Sequence, residues 1–254
     1  MRPVWSIVQF VEFFHLALLG VLQVRLDQKH YVLKGGVNLR YFCQSPRYSE
    51  DVDFDASGIP PEKLEERLDG VLSSRALAFT LRTHDLAIQR SSKPKQTPTT
   101  QRWKLTLVHS KSSEPIWTKI EFSHRRTDPR TSLGQVPDEI VRPHALRPPT
   151  VMRYLPSAMT EQKIAALAGR TETQARDVFD LELLFRRWPD TVASGAIPAR
   201  RLEAAAESAM QLPFESYREL VIRFLEPDAR ELLDRREAWD QMQARVVEKL
   251  LTLR

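Results

Sequence analysis

Apolar residues recur along the first 25 positions at helical intervals. Val8, Val11, Phe14, Leu18 and Leu22 in "VQFVEFFHLALLGVLQ" predict an amphipathic helix with one buried side. "HYVLKGG" then predicts a short buried strand ending in a turn, and "VNLRYF" the start of a helix. In "DVDFD" the alternation is strict, with Val52 and Phe54 facing one way and Asp51, Asp53 and Asp55 the other. Residues 60 to 75 predict a helix, with Pro60 and Pro61 at its entry and Leu64, Leu68 and Leu72 giving its spacing.

Strand-like pieces follow. "LAFTLRTHDLAIQR" predicts one or two strands, "SSKPKQTPTT" a mobile polar hairpin loop, and "RWKLTLVHS" a further strand. In "IWTKIEFSHR" Ile116, Thr118, Ile120 and Phe122 alternate with Trp117, Lys119, Glu121 and Ser123, so Glu121 lies opposite the apolar face. Residues 126 to 156 are rich in Pro and Arg and mark a boundary near 150. After it the pattern is helical over 160 to 169, 172 to 187, 198 to 211, 214 to 225 and 228 to 252, and no internal repeat is visible. The expected architecture is a mixed α/β domain over 1–150 and a helical bundle over 151–254 that contributes to the same cleft.

Composition narrows the class. The chain has 254 residues, 42% apolar and 28% charged, which is an ordinary soluble balance. A net charge of +5 mildly favours an anionic partner such as nucleotide or nucleic acid. The single cysteine, Cys43, excludes an internal disulfide and any cysteine-rich metal motif, and fits a reducing cytoplasm; it reads as a small buried hydrophobe. Arg2 before an apolar stretch resembles a signal peptide, but Gln9, Glu12 and His15 interrupt the run and no small-residue cleavage site follows. The same residues make it read as too polar for a membrane span. The histidines show no zinc-binding spacing.

Asp51 and Asp53 on one strand face are like charges held close together. They suit a divalent cation such as Mg²⁺, which binds hard oxygen ligands and bridges carboxylates to nucleotide phosphates. A solvated acidic strand end is the alternative. What favours the cation is order: strand, Gly35-Gly36 turn, helix, Asp51-x-Asp53, and Glu121 on a later strand. That order would bring glycine amides, able to hold a triphosphate, beside acids able to hold its metal.

With those residues set out, the chain resembles the DNA polymerase β-like nucleotidyltransferases. The longer string "LKGGVNLRYF…RYSEDVDFD" is similar to the AbiEii nucleotidyltransferase toxins of abortive-infection and toxin–antitoxin systems. "EQKIAALAGRTETQARDVFDLELL" resembles a later block of that family. The resemblance implies a nucleotidyltransferase-like α/β sheet with a C-terminal helical bundle. It implies Mg²⁺ and an NTP as substrate, a cognate antitoxin, and for some relatives the acceptor end of tRNA as target. Matched residue by residue, it implies metal binding by Asp51, Asp53 and Glu121, with Glu121 also activating the attacking hydroxyl. Lys34, Gly35 and Gly36 match the phosphate-binding turn, and Arg47 and Ser49 the lead-in to the second strand. Lys163 matches a lysine expected to reach the triphosphate, and Arg170, Asp177 and Asp180 the later block, with Asp177 counted among the catalytic residues. Val37 stands where relatives often carry Thr or Ser, and Asn38 is the candidate replacement for that hydroxyl.

Arg90, Lys93, Lys95, Arg102 and Lys104, with Trp103 among them, form a basic stretch that would suit an RNA end, or else a soluble, mobile hairpin. The reading is therefore an Mg-dependent nucleotidyltransferase toxin of the cytoplasm acting on RNA or on a protein hydroxyl. The alternatives are a catalytically degraded nucleotide- or RNA-binding module of the same fold, and a phosphotransferase.

Overall fold

A computed structural model describes residues 5–112, 114–125 and 127–254; Arg2, which raised the question of a leader, lies outside them. The chain divides into two compact units, one of Met1–Phe42 with Tyr48–Tyr154 and one of Cys43–Arg47 with Leu155–Arg254.

The first unit runs α1 (Ile7–Arg25), β1 (Tyr31–Lys34), α2 (Gly35–Phe42), β2 (Asp51–Ala56), α3 (Pro61–Leu72), α4 (Arg75–Arg82), β3 (Leu86–Gln96), β4 (Thr100–His109), β5 (Ile116–His124), β6 (Thr131–Gln135), α5 (Asp138–Val141) and β7 (Thr150–Tyr154). The strands form one mixed sheet in the order β3-β4-β5-β2-β1-β7-β6. The central pair β2 and β5 is parallel, and β1 lies antiparallel to β2. One sheet face is apolar because each strand alternates: Leu33, Val52, Phe54, Trp103, Ile120 and Phe122 are all fully buried there, in one core with α1. Phe54 and Phe122, paired in register, stack with centroids 4.7 Å apart, and Trp103 meets Phe122 edge-on at 6.2 Å. Such pairs add about 0.5–1.5 kcal/mol beyond area burial. The opposite face carries the charges.

Helix α1 is more deeply set than its sequence stripe suggested. Val11, Phe14, Leu18 and Leu22 are buried as expected and Val8 is half-buried, but Phe13, Leu16, Ala17 and Leu19 are buried too. The interrupting polar residues do not make it too polar: its mean hydropathy of 1.8 would allow a membrane span by composition, yet 61% of that window is buried within the protein. Glu12 and His15 are tolerated inside because they are paired. Arg40 Nε donates to Glu12 Oε1 at 2.8 Å and His144 Nε2 lies 3.1 Å from Oε2. Burial alone would raise the Glu12 carboxyl; the His144 hydrogen bond and the Arg40 charge outweigh it and hold the group below its ordinary value. His15 bonds Thr118 Oγ1 at 2.8 Å, and burial lowers its pKa to about 4.

Three elements differ from the sequence pattern. Residues 77–82, expected extended, belong to helix α4, because Ser74 caps Leu77 N at 3.2 Å and Leu77 and Leu81 fall four apart on the core side. The polar stretch after residue 90 is not a loose loop: β3 continues to Gln96 and turns through Thr97–Thr100, with an irregularity in register between Ser92 and Lys95 that accommodates Pro94. The Pro-rich segment supplies two strands, β6 and β7, with β7 pairing parallel to β1.

The second unit contains α6 (Pro156–Gly169), α7 (Ala175–Arg187), α8 (Ala199–Met210), α9 (Phe214–Leu220), α10 (Pro227–Leu233) and α11 (Arg236–Thr252) around its own apolar core. The helix expected over 228 to 252 is broken at Asp234 and Arg235. Cys43 is fully buried, as its sequence reading held.

Replacing Arg40 by Leu should leave Glu12 buried without its main cation and cost about 3–5 kcal/mol in urea unfolding. Because Glu12 sits below its ordinary value of 4.5, its stabilising contribution is present above that pH and is lost as pH falls through the folded value. A Glu12→Gln protein should lack that part of the acid-side loss, seen as a flatter dependence of melting temperature on pH.

Candidate active site

Strand β1 ends at Lys34 and α2 begins at Gly35, whose φ of +69° lies in the left-handed region. A Cβ at Gly35 would stand 3.1 Å from Asp53 Oδ2, so the turn lies directly against that carboxylate; the backbone conformation favours glycine, and a side chain would also press on Asp53. The sequence order did bring the Gly-Gly turn beside the acids.

Register then sets out the charged face. Lys34 pairs with Asp53, Asp53 with Glu121, Glu121 with Arg102 and Arg102 with Lys95, so one row crosses five strands. Side chains paired in this way project to the same face. In the next row Asp51 pairs with Lys119 and Lys119 with Lys104. Asp51 Oδ2 lies 2.7 Å from Lys119 Nζ, and Glu121 Oε2 accepts from Arg102 NH2 at 2.6 Å and Nε at 2.7 Å. Asp55, the third acid of β2, is the most heavily held. Lys34 Nζ at 2.6 Å, Arg125 Nε at 3.0 Å and the Tyr154 hydroxyl at 2.7 Å all reach it. Lys34 also donates to Ser123 Oγ at 2.9 Å.

Asp53 is different: its side chain makes no hydrogen bond or ion pair with the described residues. Burial raises its pKa; Lys119 and Lys34 oppose this, and the Asp51 and Glu121 charges add to it. An unpaired, half-buried carboxylate between two others is a disfavoured anion that a cation would relieve.

The three carboxylates do not converge in this structure. Among the described residues no group of three His, Cys, Asp or Glu side chains is arranged to hold a metal ion. Asp51, Asp53 and Glu121, expected to bridge a metal, stand at neighbouring register positions, and Lys119 and Arg102 engage the two outer acids. The donor set itself, hard oxygens at adjacent register positions with one unpaired, suits a divalent cation.

Other expected residues have structural duties. Asn38 is fully buried and donates to the Tyr154 carbonyl at 3.0 Å, so it does not replace the missing hydroxyl. Ser49 Oγ donates to the Asp51 carbonyl at 2.9 Å and fixes the entry to β2. Trp103 is buried and its indole donates to Asp69 at 2.9 Å, which removes it from any RNA surface. Lys93 is held by Glu65 at 2.5 Å and Asp69 at 2.9 Å on α3, and Arg102 by Glu121. Arg90, Lys95 and Lys104 are exposed. Lys119 and Asp55 were missed as partners of the site, although both lie at alternate positions on strand faces already assigned.

The remaining residues form a separate network inside the second unit. Asp177 and Asp180 are both fully buried. Lys163 Nζ lies 2.9 Å from Asp177 and 2.5 Å from Asp180, Arg170 reaches Asp177 at 2.9 Å, and Arg47 NH2 lies 3.1 Å from both Asp180 oxygens. Burial would raise the Asp180 carboxyl; Arg47 and Lys163 prevail and hold it low. Asp177, expected among the catalytic residues, is in this conformation a sealed ion-pair partner of Lys163 and Arg170.

Comparison with known proteins follows the same lines. A family model described as nucleotidyl transferase AbiEii toxin, type IV TA system, matches residues 17–252. The JHP933 protein of Helicobacter pylori has a similar fold, with a TM-score of 0.60 and 18% identity over 98% of this chain and 95% of that one. A proposed nucleotidyltransferase from H. pylori gives a TM-score of 0.63 and 19% identity, covering 99% of each chain. At such identities the likeness is one of fold. Comparison with curated proteins gives no match.

Gly35→Ala should cost about 1–2 kcal/mol for left-handed backbone alone, and more if Asp53 must shift, measured by chemical denaturation. Lys163→Ala should destabilise the protein by about 1–3 kcal/mol, because Asp177 and Asp180 lose a shared charged donor and keep Arg170 and Arg47; Asp180→Leu, which takes away the buried acid that Arg47 and Lys163 share, should cost about 3–5 kcal/mol.

Proposed function

Because the chain belongs to the AbiEii family of nucleotidyltransferase toxins of type IV toxin–antitoxin systems, we propose that it transfers a nucleoside monophosphate from an NTP to a hydroxyl of RNA, tRNA in the first instance, on the charged face of its first unit. Asp53 carries this reading. It is a carboxylate left without a partner, pressed against a left-handed glycine and flanked in register by Glu121. Asp51, Asp53 and Glu121 would hold the divalent cation that nucleotidyltransferases use, Mg²⁺ here, which neutralises charge on the reacting phosphates.

The chain's own groups divide the remaining work. Gly35 and Gly36 present backbone without side chains, so a phosphate can approach the first amides of α2. Lys34, fixed by Asp55 and Ser123, places a cation beside that turn. The attacking hydroxyl oxygen bonds to the α-phosphorus as the bond from that phosphorus to the pyrophosphate oxygen breaks. The hydroxyl proton passes to Glu121, which must first release Arg102. Arg102 and Lys119 thereby become free cations on the same face. Substrates of this kind place the reaction in the cytoplasm, where a cognate antitoxin would restrain it.

The test is incubation with purified tRNA, Mg²⁺ and each NTP in turn, labelled at the α- or the γ-phosphate. Label should pass to RNA from the α-position only. Asp53→Asn should abolish transfer, and Glu121→Gln should slow it by about a hundredfold or more. A fully active Asp53→Asn protein would overturn the proposal, and transfer from the γ-position would replace it with phosphotransfer.

A further inference from the structure

The charged row is one edge of a larger pattern on the same sheet face. Three rows can be read across β3, β4 and β5: Lys95, Arg102 and Glu121; Ser92, Lys104 and Lys119; Arg90, Thr106 and Trp117. Trp117 is 68% exposed. Trp103 and Trp239 are buried and Trp5 and Trp188 half-buried, so no other tryptophan stands out in this way. An indole held in water on a flat strand, beside cations, is an unusual use of the side chain unless something stacks on it.

The cations around it are uncommitted. Arg90, Lys95 and Lys104 are exposed and make no side-chain hydrogen bond or ion pair with the described residues. Thr106, directly across from Trp117, likewise has a hydroxyl with no such partner. Trp117 lies four residues along β5 from Glu121, about 13 Å at strand rise.

We propose that this face of β3–β5 binds single-stranded RNA, with a base stacked on Trp117, phosphates on Arg90, Lys95 and Lys104, and a ribose 2′-hydroxyl on Thr106. The inference rests on the transferase reading of the neighbouring acids, for which it supplies the path of the acceptor strand. Stacking on an aromatic is tolerant of sequence, and basic side chains track the backbone. The free threonine hydroxyl favours RNA over DNA, because the 2′-hydroxyl is what distinguishes them at a contact.

Binding of a fluorescein-labelled 12-nucleotide RNA, read by anisotropy without NTP or Mg²⁺, tests the proposal apart from catalysis. Trp117→Ala should weaken binding about tenfold, with an unchanged melting temperature, and Trp117→Phe should recover most of the loss. Lys104→Ala should reduce the slope of log affinity against log salt by about 0.7. Thr106→Val should lower RNA affinity towards that of DNA of the same sequence, and binding of a non-hydrolysable NTP to Trp117→Ala should match the wild type. The proposal is overturned if Trp117→Ala binds RNA as the wild type does, or if the wild type binds RNA and DNA equally. It is equally overturned if Trp117→Ala loses NTP affinity instead, or if the wild type binds no RNA at low salt, which would point to a protein acceptor. Expected RNA binding alongside a wild type that transfers no label would instead refute the transferase reading alone.

Discussion

Three carboxylates two residues apart on one strand face repel one another, and each must find a cation or bear the cost of ionisation. Strand β2 meets this constraint unevenly. Asp51 takes Lys119, and Asp55 takes Lys34, Arg125 and the Tyr154 hydroxyl. Asp53, between them, has no such partner among the described residues, and Gly35 leaves open the space that a Cβ would take 3.1 Å from its Oδ2. The apolar face of the sheet makes this possible. Phe54, Phe122, Ile120 and Trp103 lock the register, and the register fixes which charges face each other. A one-residue slip of β2 would turn the acids into the core.

The second unit treats buried acids in the opposite way. Asp177 and Asp180 are shared among Lys163, Arg170 and Arg47, so each buried acid has two cationic partners. In this structure every acid of that network is paired, whereas the Asp53 side chain is not.

Much of this was legible beforehand, for definable reasons. Strand period placed Asp51 and Asp53 together and Glu121 on a charged face, and the Gly-Gly turn announced a close backbone approach. What could not be read was which cation each acid would take. Lys119 and Arg102 are set by cross-strand register, which depends on partners far apart in the chain. Asn38 looked like a hydroxyl substitute, but the inward face of α2 buries it. Residues 77–82 looked extended because Phe79 and Thr80 favour strands; the Ser74 cap and the Leu77–Leu81 spacing decided for helix. Trp103 and Trp117 illustrate the same limit: both sit on basic strands, and opposite strand faces send one to the core and the other to solvent. The assignment of Cys43–Arg47 to the helical unit had no marker in composition.

Under the proposed function, Asp53 is held at a cost to stability and meets a cation-bound nucleotide. Burial and its acidic neighbours raise its pKa, so its contribution to stability is intact below the ordinary value of 3.8 and is lost as pH rises through the folded value. Thermal unfolding of the wild type and of Asp53→Asn at neutral pH, each with and without Mg²⁺ and a non-hydrolysable NTP, measures both halves of the claim at once. The variant should melt higher than the wild type when alone and gain nothing from the nucleotide that stabilises the wild type. A variant that melts lower alone, or that gains as much from Mg²⁺ and nucleotide as the wild type, would overturn that role for Asp53.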